Sequence, residues 1–307
     1  MSDQTNLNGK VVLVTGAGGG IGRGIAMEAA RAGASVVVND LGASLDGRRE
    51  TSAAADTVVA EIEAAGGRAV ANGDSVAEPD GAKAMVRQAT DAFGRLDAVI
   101  NNAGILRDTF FHKMTWEDFD AVVKVHLYGA FNTSRAAADI FRDQGSGSLI
   151  HMTSTSGLVG NLAQANYSAA KMGITALSKS IALDLARWNV RSNCIAPFAW
   201  SRMTANIKVD SPEQEERVNR MKEMIPEKIA PLTLFLASDD AADVTGQIFA
   251  VRNNEIFLMS QSRPVRSVHR GGDGWDITSI RDGAIPALRR SFVPLEVSAD
   301  VFAWDPV

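Results

Sequence analysis

A strand-length apolar run, "KVVLVT" at residues 10–15, leads straight into the glycine cluster "TGAGGGIG" at 15–22 and then into "IAMEAARAGA" in helical rhythm. This order constrains the fold more than any other feature of the chain. An apolar run without polar alternation reads as a strand buried on both faces, the mark of a parallel sheet covered by helices. The rhythm repeats. Strands are predicted at 35–40, 68–74, 96–102, 147–154, 190–197 and 246–251, with helix-period segments between them. One of these, "AADTVVAEIEAAGG", stops at glycines, which suit helix C-terminal caps. The alternation predicts an α/β fold with a seven-stranded parallel sheet and helices on both faces.

Composition narrows the setting. The 307 residues are 46% hydrophobic, enough for one large α/β domain or two small ones. A net charge of −5 argues against nucleic acid as a partner, since phosphate binding needs a basic face. Cys194 is the single cysteine, which excludes an internal disulfide and fits a reducing compartment. The polar start "MSDQTNLNGK" has no signal-peptide core, and no run approaches the about 18 apolar residues of a membrane span. The expectation is a soluble, cytoplasmic protein with no membrane association. Two stretches break the strand–helix rhythm. Residues 198–228 are rich in Met, Glu and Lys, and the part at about 198–225 reads as a lid. Residues 252–307 follow the last predicted strand. Ile, Leu, Phe, Val and Trp recur there, so the composition is not that of a disordered tail. The division expected is a domain at 1–251 and an extension at 252–307 that packs on it or on a neighbouring subunit.

The glycine cluster sits between a strand and a helix. Glycines there let the backbone turn tightly and approach a pyrophosphate, and the helix N-terminus supplies free N–H groups. The sheet is therefore expected to be of the doubly wound, Rossmann type. Asp40 ends the second predicted strand, 18 residues after Gly22. A carboxylate there accepts the ribose hydroxyls of adenosine and repels a 2′-phosphate, which favours NAD over NADP. The competing reading is that Asp40 only starts a turn. Arg23, Arg48 and Arg49 keep NADP as the minority alternative.

A second constellation carries chemistry. "YSAAK" places Tyr167 and Lys171 four residues apart, on one helix face, and Ser154 lies 13 residues before Tyr167 at the end of the fifth predicted strand. Oxidising an alcohol by hydride transfer requires a base for the hydroxyl proton. Free tyrosine, with a pKa of about 10, is too weak a base near neutrality. A nearby ammonium favours the phenolate, and a serine hydroxyl can hold the substrate oxygen beside it.

With "TGAGGGIG", "NNAG" at 101–104, Ser154, Tyr167 and Lys171 in order and spacing, the chain resembles the short-chain dehydrogenase/reductase family over residues 9–251. The resemblance implies these roles. Gly16, Gly20 and Gly22, with Gly19 and Ile21 between them, form the dinucleotide turn. Asp74 and Ser75 lie near adenine, and Asn102 borders the adenosine ribose. Tyr167 is the acid/base, and Lys171 lowers its pKa and holds the nicotinamide ribose. Ser154 polarises the substrate oxygen. His126 stands where most members have an asparagine that supports a helix bend. It is read as a helix clamp or as a proton relay that titrates near its usual 6.5. No residue is assigned to a metal. The chain departs from the family at Pro197–Phe198, where a glycine usually follows the proline, and at Trp200, which either borders the nicotinamide end or packs under the lid.

"VVVNDLGASLDG", "NNAGILRD" and "GNLAQANYSAAK" are further similar to the (3R)-hydroxyacyl-CoA dehydrogenase branch found in peroxisomal multifunctional enzymes and related bacterial proteins. That implies NAD-dependent interconversion of a secondary alcohol and a ketone on a hydroxyacyl-CoA substrate. A steroid or alicyclic alcohol is the alternative substrate, and a non-catalytic dinucleotide sensor or scaffold is the alternative of another class. Phe110, Phe111, Met114, Trp116, Trp200 and Met203 are candidates for an apolar pocket. Arg107, Lys113, Arg202 and Lys208 are candidates for CoA phosphates. Family members assemble through the helices corresponding to 115–142 and 164–187, so a homo-dimer or homo-tetramer is expected.

Overall fold

The computed structural model describes residues 7–42, 44, 46–47, 53–200 and 211–307. Seven strands run parallel: β1 (Val11–Thr15), β2 (Ser35–Asn39), β3 (Arg68–Asn72), β4 (Ala98–Asn101), β5 (Gly147–Met152), β6 (Val190–Phe198) and β7 (Ile248–Arg252). The sheet order is β3-β2-β1-β4-β5-β6-β7-β8, so the winding reverses between β1 and β4. Open parallel sheets gather ligands outside the strand ends at such a reversal. The loops after β1 and β4 flank it.

Helices α1 (Gly20–Arg31), α2 (Ala53–Ala64), α3 (Pro79–Phe93), α4 (Trp116–Val123), α5 (Gly129–Gln144), α6 (Thr155–Leu158), α7 (Ala165–Leu185), α8 (Pro212–Lys222) and α9 (Ala230–Ala237) lie in the connections. Two cores follow from the pleat. Val12 and Val14 of β1 face the side of Ile25, Ile62 and Leu234, whereas Val11 and Leu13 face Met85, Leu96 and Phe141. Each β1 residue is buried, which accounts for an apolar run without alternation. The expected parallel sheet with helices on both faces is what the chain forms.

An eighth strand, β8 (Glu255–Leu258), corrects the expectation of seven and of a sheet that ends at residue 251. It pairs antiparallel with β7, from Arg252 opposite Glu255 to Phe249 opposite Leu258. The turn is Asn253–Asn254, with Asn253 at φ +55°. Two-residue hairpin loops favour such left-handed asparagines.

The extension folds back onto the domain. Buried Arg252 donates to the Phe302 carbonyl at 3.4 Å and to the Trp304 carbonyl, and its guanidinium lies over the Trp304 ring. Phe302 meets Phe198 and Phe257 edge-on at 4.9 and 5.3 Å between ring centroids. Asn254 N donates to the Val307 carbonyl at 2.9 Å.

Candidate active site

The first loop is held by its own packing. Asn102, just after β4, donates through Nδ2 to the carbonyls of Thr15 at 2.9 Å and Gly16 at 3.0 Å. The Thr15 hydroxyl in turn accepts from the amides of Asn102 and Ala103 at 3.0 and 3.1 Å. Gly16 has φ +63°, and a Cβ at Gly22 would stand 2.2 Å from the Gly16 carbonyl oxygen. Both positions are therefore closed to a side chain. Gly19 and Gly20 differ, because a Cβ at either meets nothing within 4 Å. α1 starts there with no side chain on its N-terminal amides. Open space in front of uncapped amides fits the pyrophosphate of a dinucleotide. Ile21 is half-buried and packs on the core behind the loop.

Asp40 follows β2, as expected. Its two carboxylate oxygens accept from Gly18 N and Gly42 N, each at 2.8 Å. It thus starts a turn and also braces the glycine loop, and each oxygen retains a lone pair for a further donor. Arg23 is paired with Glu61 at 2.6 Å and so does not offset this carboxylate. Arg48 and Arg49 lie outside the described residues. Asp74 and Ser75 follow β3. Asp74 accepts from Asn72 Nδ2 at 2.9 Å, its carbonyl accepts from Asn39 Nδ2 at 2.9 Å, and the Ser75 hydroxyl accepts from Ala77 N at 3.2 Å.

The second cluster is at the ends of β5 and β6. Ser154 caps α6, and its hydroxyl accepts from Ser156 N at 3.1 Å. Burial raises the Tyr167 phenol to about 12, and the influence of the nearby Ser154 hydroxyl offsets this only in part. Lys171, buried one helical turn away, has its Nζ 5.5 Å from the Tyr167 ring centroid. The ammonium donates to the Met152 carbonyl at 2.5 Å, and burial lowers it to about 7. Lys171 is thus near Tyr167 while its Nζ is engaged by the Met152 carbonyl, and burial is the largest influence on both groups.

His126 lies in a π-helical turn, Lys124–Tyr128, between α4 and α5. The expected helix irregularity is there. The ring is buried 5.2 Å from the Tyr167 ring, edge-on, and a Cβ at Gly104 would stand 2.3 Å from its Cε1. Its Nε2 contacts the backbone of Ile105, at 3.1 Å from the nitrogen and 2.8 Å from the oxygen. Burial first, then the Lys171 charge, lowers His126 to about 3. Burial therefore favours the neutral imidazole, which suits the clamp reading of His126. A cavity of about 10 Å³, lined by Thr15, Asn101, His126, Gly129 and Lys171 among others, adjoins both rings' helices.

Pro197 and Phe198 end β6, and Phe198 is taken up by the extension through Phe302. Trp200 N donates to the Met224 carbonyl at 2.6 Å, which ties the chain just after β6 to the segment that follows α8. Phe111 and Trp116 are 79% and 73% exposed. Arg107 is engaged with the Asp46 carbonyl at 3.2 Å and with Asp118 at 3.7 Å. Arg202, Met203 and Lys208 lie outside the described residues. A polar cleft of about 430 Å³ lies at Asp46, Leu106–Thr109 and Asp118, and it is not lined by Ser154, Tyr167 or Lys171.

Several residues escaped the sequence reading. Thr15 locks the loop together with the expected Asn102, and Gln164 links Ser156 to Asp108 at 2.8 and 2.7 Å. His151 on β5 is buried next to Asn101, at 3.2 Å, and burial lowers it to about 3. A histidine inside an otherwise apolar strand was the one visible signal. Among the described residues no helix is long and apolar enough to cross a membrane, and no group of His, Cys, Asp and Glu is placed to hold a metal ion.

Comparison with known proteins agrees with this geometry. The short chain dehydrogenase family model matches residues 10–213. A hydroxyacyl-CoA dehydrogenase of Mycobacterium tuberculosis is 39% identical over 287 residues, 91% of this chain and 88% of that one. The peroxisomal multifunctional enzyme type 2 of Mus musculus is 45% identical over 270 residues, 88% of this chain but 35% of that protein. In structure, a short chain dehydrogenase from Mycobacterium avium superposes with a TM-score of 0.82 at 40% identity, covering 95% of this chain and 98% of that chain.

Proposed function

Since the chain belongs to the short-chain dehydrogenase family, we propose that it interconverts the secondary alcohol of a 3-hydroxyacyl-CoA and the corresponding ketone, with NAD as the hydride partner. The observation that carries this reading is the placement of buried Lys171 with its Nζ 5.5 Å from the Tyr167 ring, with Ser154 at the end of β5 interacting with the same phenol. A sensor or scaffold has no need of that set. The names of relatives that match over most of this chain supply the substrate class. Asp40 supports NAD, because a carboxylate there opposes a 2′-phosphate and the nearby Arg23 is paired with Glu61.

A bound nicotinamide would supply the hydride acceptor or donor for the carbinol carbon, with the glycine loop and Asp40 holding its dinucleotide. The protein handles the proton. Ser154 donates its hydroxyl hydrogen to the substrate oxygen and keeps that oxygen next to Tyr167. In ketone reduction Tyr167 gives its phenolic proton to the developing alkoxide. A phenol held near 12 is protonated at neutral pH and ready for that direction. In alcohol oxidation Tyr167 accepts the proton, and this requires Lys171 to leave the Met152 carbonyl and bring its charge to the phenol. His126 stays neutral and clamps the π-helical turn to Ile105. We further infer a homo-oligomer, as the family resemblance implies.

Turnover of a 3-hydroxyacyl-CoA, the free 3-hydroxy acid and a hydroxysteroid, each with NAD and with NADP, tests the reading. Highest kcat/KM for the CoA ester with NAD is expected. Preference for a CoA-free alcohol overturns the substrate class, and preference for NADP overturns the cofactor.

A further inference from the structure

The carboxy-terminal segment reaches the turn that carries Ser154. Ser298 N donates to the Gly160 carbonyl at 3.0 Å, and the Ser298 hydroxyl donates to the Thr155 hydroxyl at 2.6 Å. These two contacts grip both ends of the 155–160 turn. From inside, the turn is held by Gly157 N and Leu158 N on the Ser154 carbonyl, at 2.9 and 3.1 Å, and by Val159 N on the Thr155 carbonyl at 2.8 Å. Thr155 is buried and directly follows Ser154, so the contact from Ser298 acts on the residue next to the serine.

Ser298 is itself a fixed point. It opens a helical turn, Ser298–Val301, whose N-terminus is closed by the Asp300 carboxylate on Val297 N at 2.9 Å. Four residues later Phe302 is buried among Phe198, Phe257 and Trp304. Asp305 then pairs with Arg220 of α8 at 2.6 Å. One short segment therefore touches the serine turn, the end of β6 and the lid helix.

We propose that Ser298 is a positioning residue for Ser154, and that residues 297–305 act as a strap setting the geometry of the catalytic serine from the far end of the chain. Its hydroxyl contributes one side chain–side chain hydrogen bond, so its loss is expected to lower kcat by about fivefold. Dinucleotide affinity is expected to stay unchanged, because the strap contacts none of the glycine-loop residues described above.

The kinetic part of the test rests on the dehydrogenase reading, so an independent measurement accompanies it. In the full-length protein, Ser298→Ala and Ser298→Thr are compared with wild type in three ways: kcat and KM on the CoA ester, NAD affinity by titration, and amide hydrogen exchange of residues 157–160. The proposal expects lower kcat, unchanged NAD affinity and faster exchange in Ser298→Ala, with Thr restoring both kcat and exchange. Unchanged exchange in the alanine variant overturns it. So does faster exchange with unchanged kcat, since the contact is then only structural. If wild type turns over no alcohol, the proposed function fails and exchange alone decides: acceleration reversed by Thr upholds the strap, and its absence refutes it.

Discussion

Two glycines of one loop should respond to the same substitution in opposite ways. At Gly22 an added Cβ stands 2.2 Å from the Gly16 carbonyl oxygen, 2.5 Å from Asn102 Nδ2 and 2.9 Å from Ala17 Cα. Two of these neighbours are backbone, and the third is the side chain that locks the loop, so none can yield without cost. Ordinary contact needs about 1 Å more room, which strains the loop by about 1–3 kcal/mol. Displacing Asn102 also threatens its two hydrogen bonds to Thr15 and Gly16, at about 1 kcal/mol each. Gly22→Ala should therefore lose about 2–5 kcal/mol of stability, roughly 5–10 °C in Tm for a chain this size. Gly19 has an extended φ of −167°, and its Cβ meets nothing. Gly19→Ala should leave Tm within about 1 °C of wild type, yet weaken NAD binding by roughly tenfold, because the methyl enters the space in front of the α1 amides. Thermal unfolding and calorimetric NAD titration of the two variants separate fold from binding. Wild-type NAD affinity in Gly19→Ala refutes the assignment of that open face to the cofactor. A wild-type Tm in Gly22→Ala refutes the packing of the turn.

Other expectations follow from the same geometry. Asp40→Ser removes the charge that opposes a 2′-phosphate, so the ratio of NADP to NAD kcat/KM should rise roughly tenfold or more; an unchanged ratio contradicts the role of the carboxylate. His126→Asn should leave the shape of the pH–rate profile intact, since the imidazole is neutral down to about 3, and should cost about 1 kcal/mol from the lost contact with Ile105. A neutral-range limb that disappears in the variant reinstates a relay. Acid should destabilise the fold in a defined window. His126 and His151 take up protons near 6.5 when unfolded but near 3 when folded, so stability is full above 6.5 and is lost as pH falls toward 3. The slope is at most about 1.4 kcal/mol per pH unit for each histidine. Replacing His151 by Asn should reduce the dependence of Tm on pH in that window, and an unaltered slope refutes the assignment.

The parallel sheet was legible because its strands are buried on both faces, and burial leaves an unbroken apolar signature such as Val11–Thr15. The glycine loop and the Ser154, Tyr167 and Lys171 set were legible because spacing along one strand end and one helix face survives in the sequence. β8 was missed although its signal was present: "VRNNEIFL" puts two asparagines between two strand-like runs, a hairpin pattern. Long-range contacts left no local trace. The Ser298–Thr155 bond spans 143 residues, and nothing around Ser298 announces it. The lysine's attachment to Met152 was likewise invisible, because a backbone carbonyl is the same at every position. The sequence also assigned Phe111 and Trp116 to a pocket on apolarity alone, and apolarity does not distinguish pocket from exposed surface.

The central claim is that Tyr167 carries the proton in a nicotinamide-linked alcohol–ketone interconversion. Its most direct test is NADH formation from a 3-hydroxyacyl-CoA by wild type and by Tyr167→Phe, with NAD affinity measured on both. The account predicts turnover by wild type, loss of about a thousandfold or more in the variant, and equal NAD affinity. Undiminished turnover in Tyr167→Phe, or a wild-type protein that binds NAD but oxidises no secondary alcohol, contradicts it.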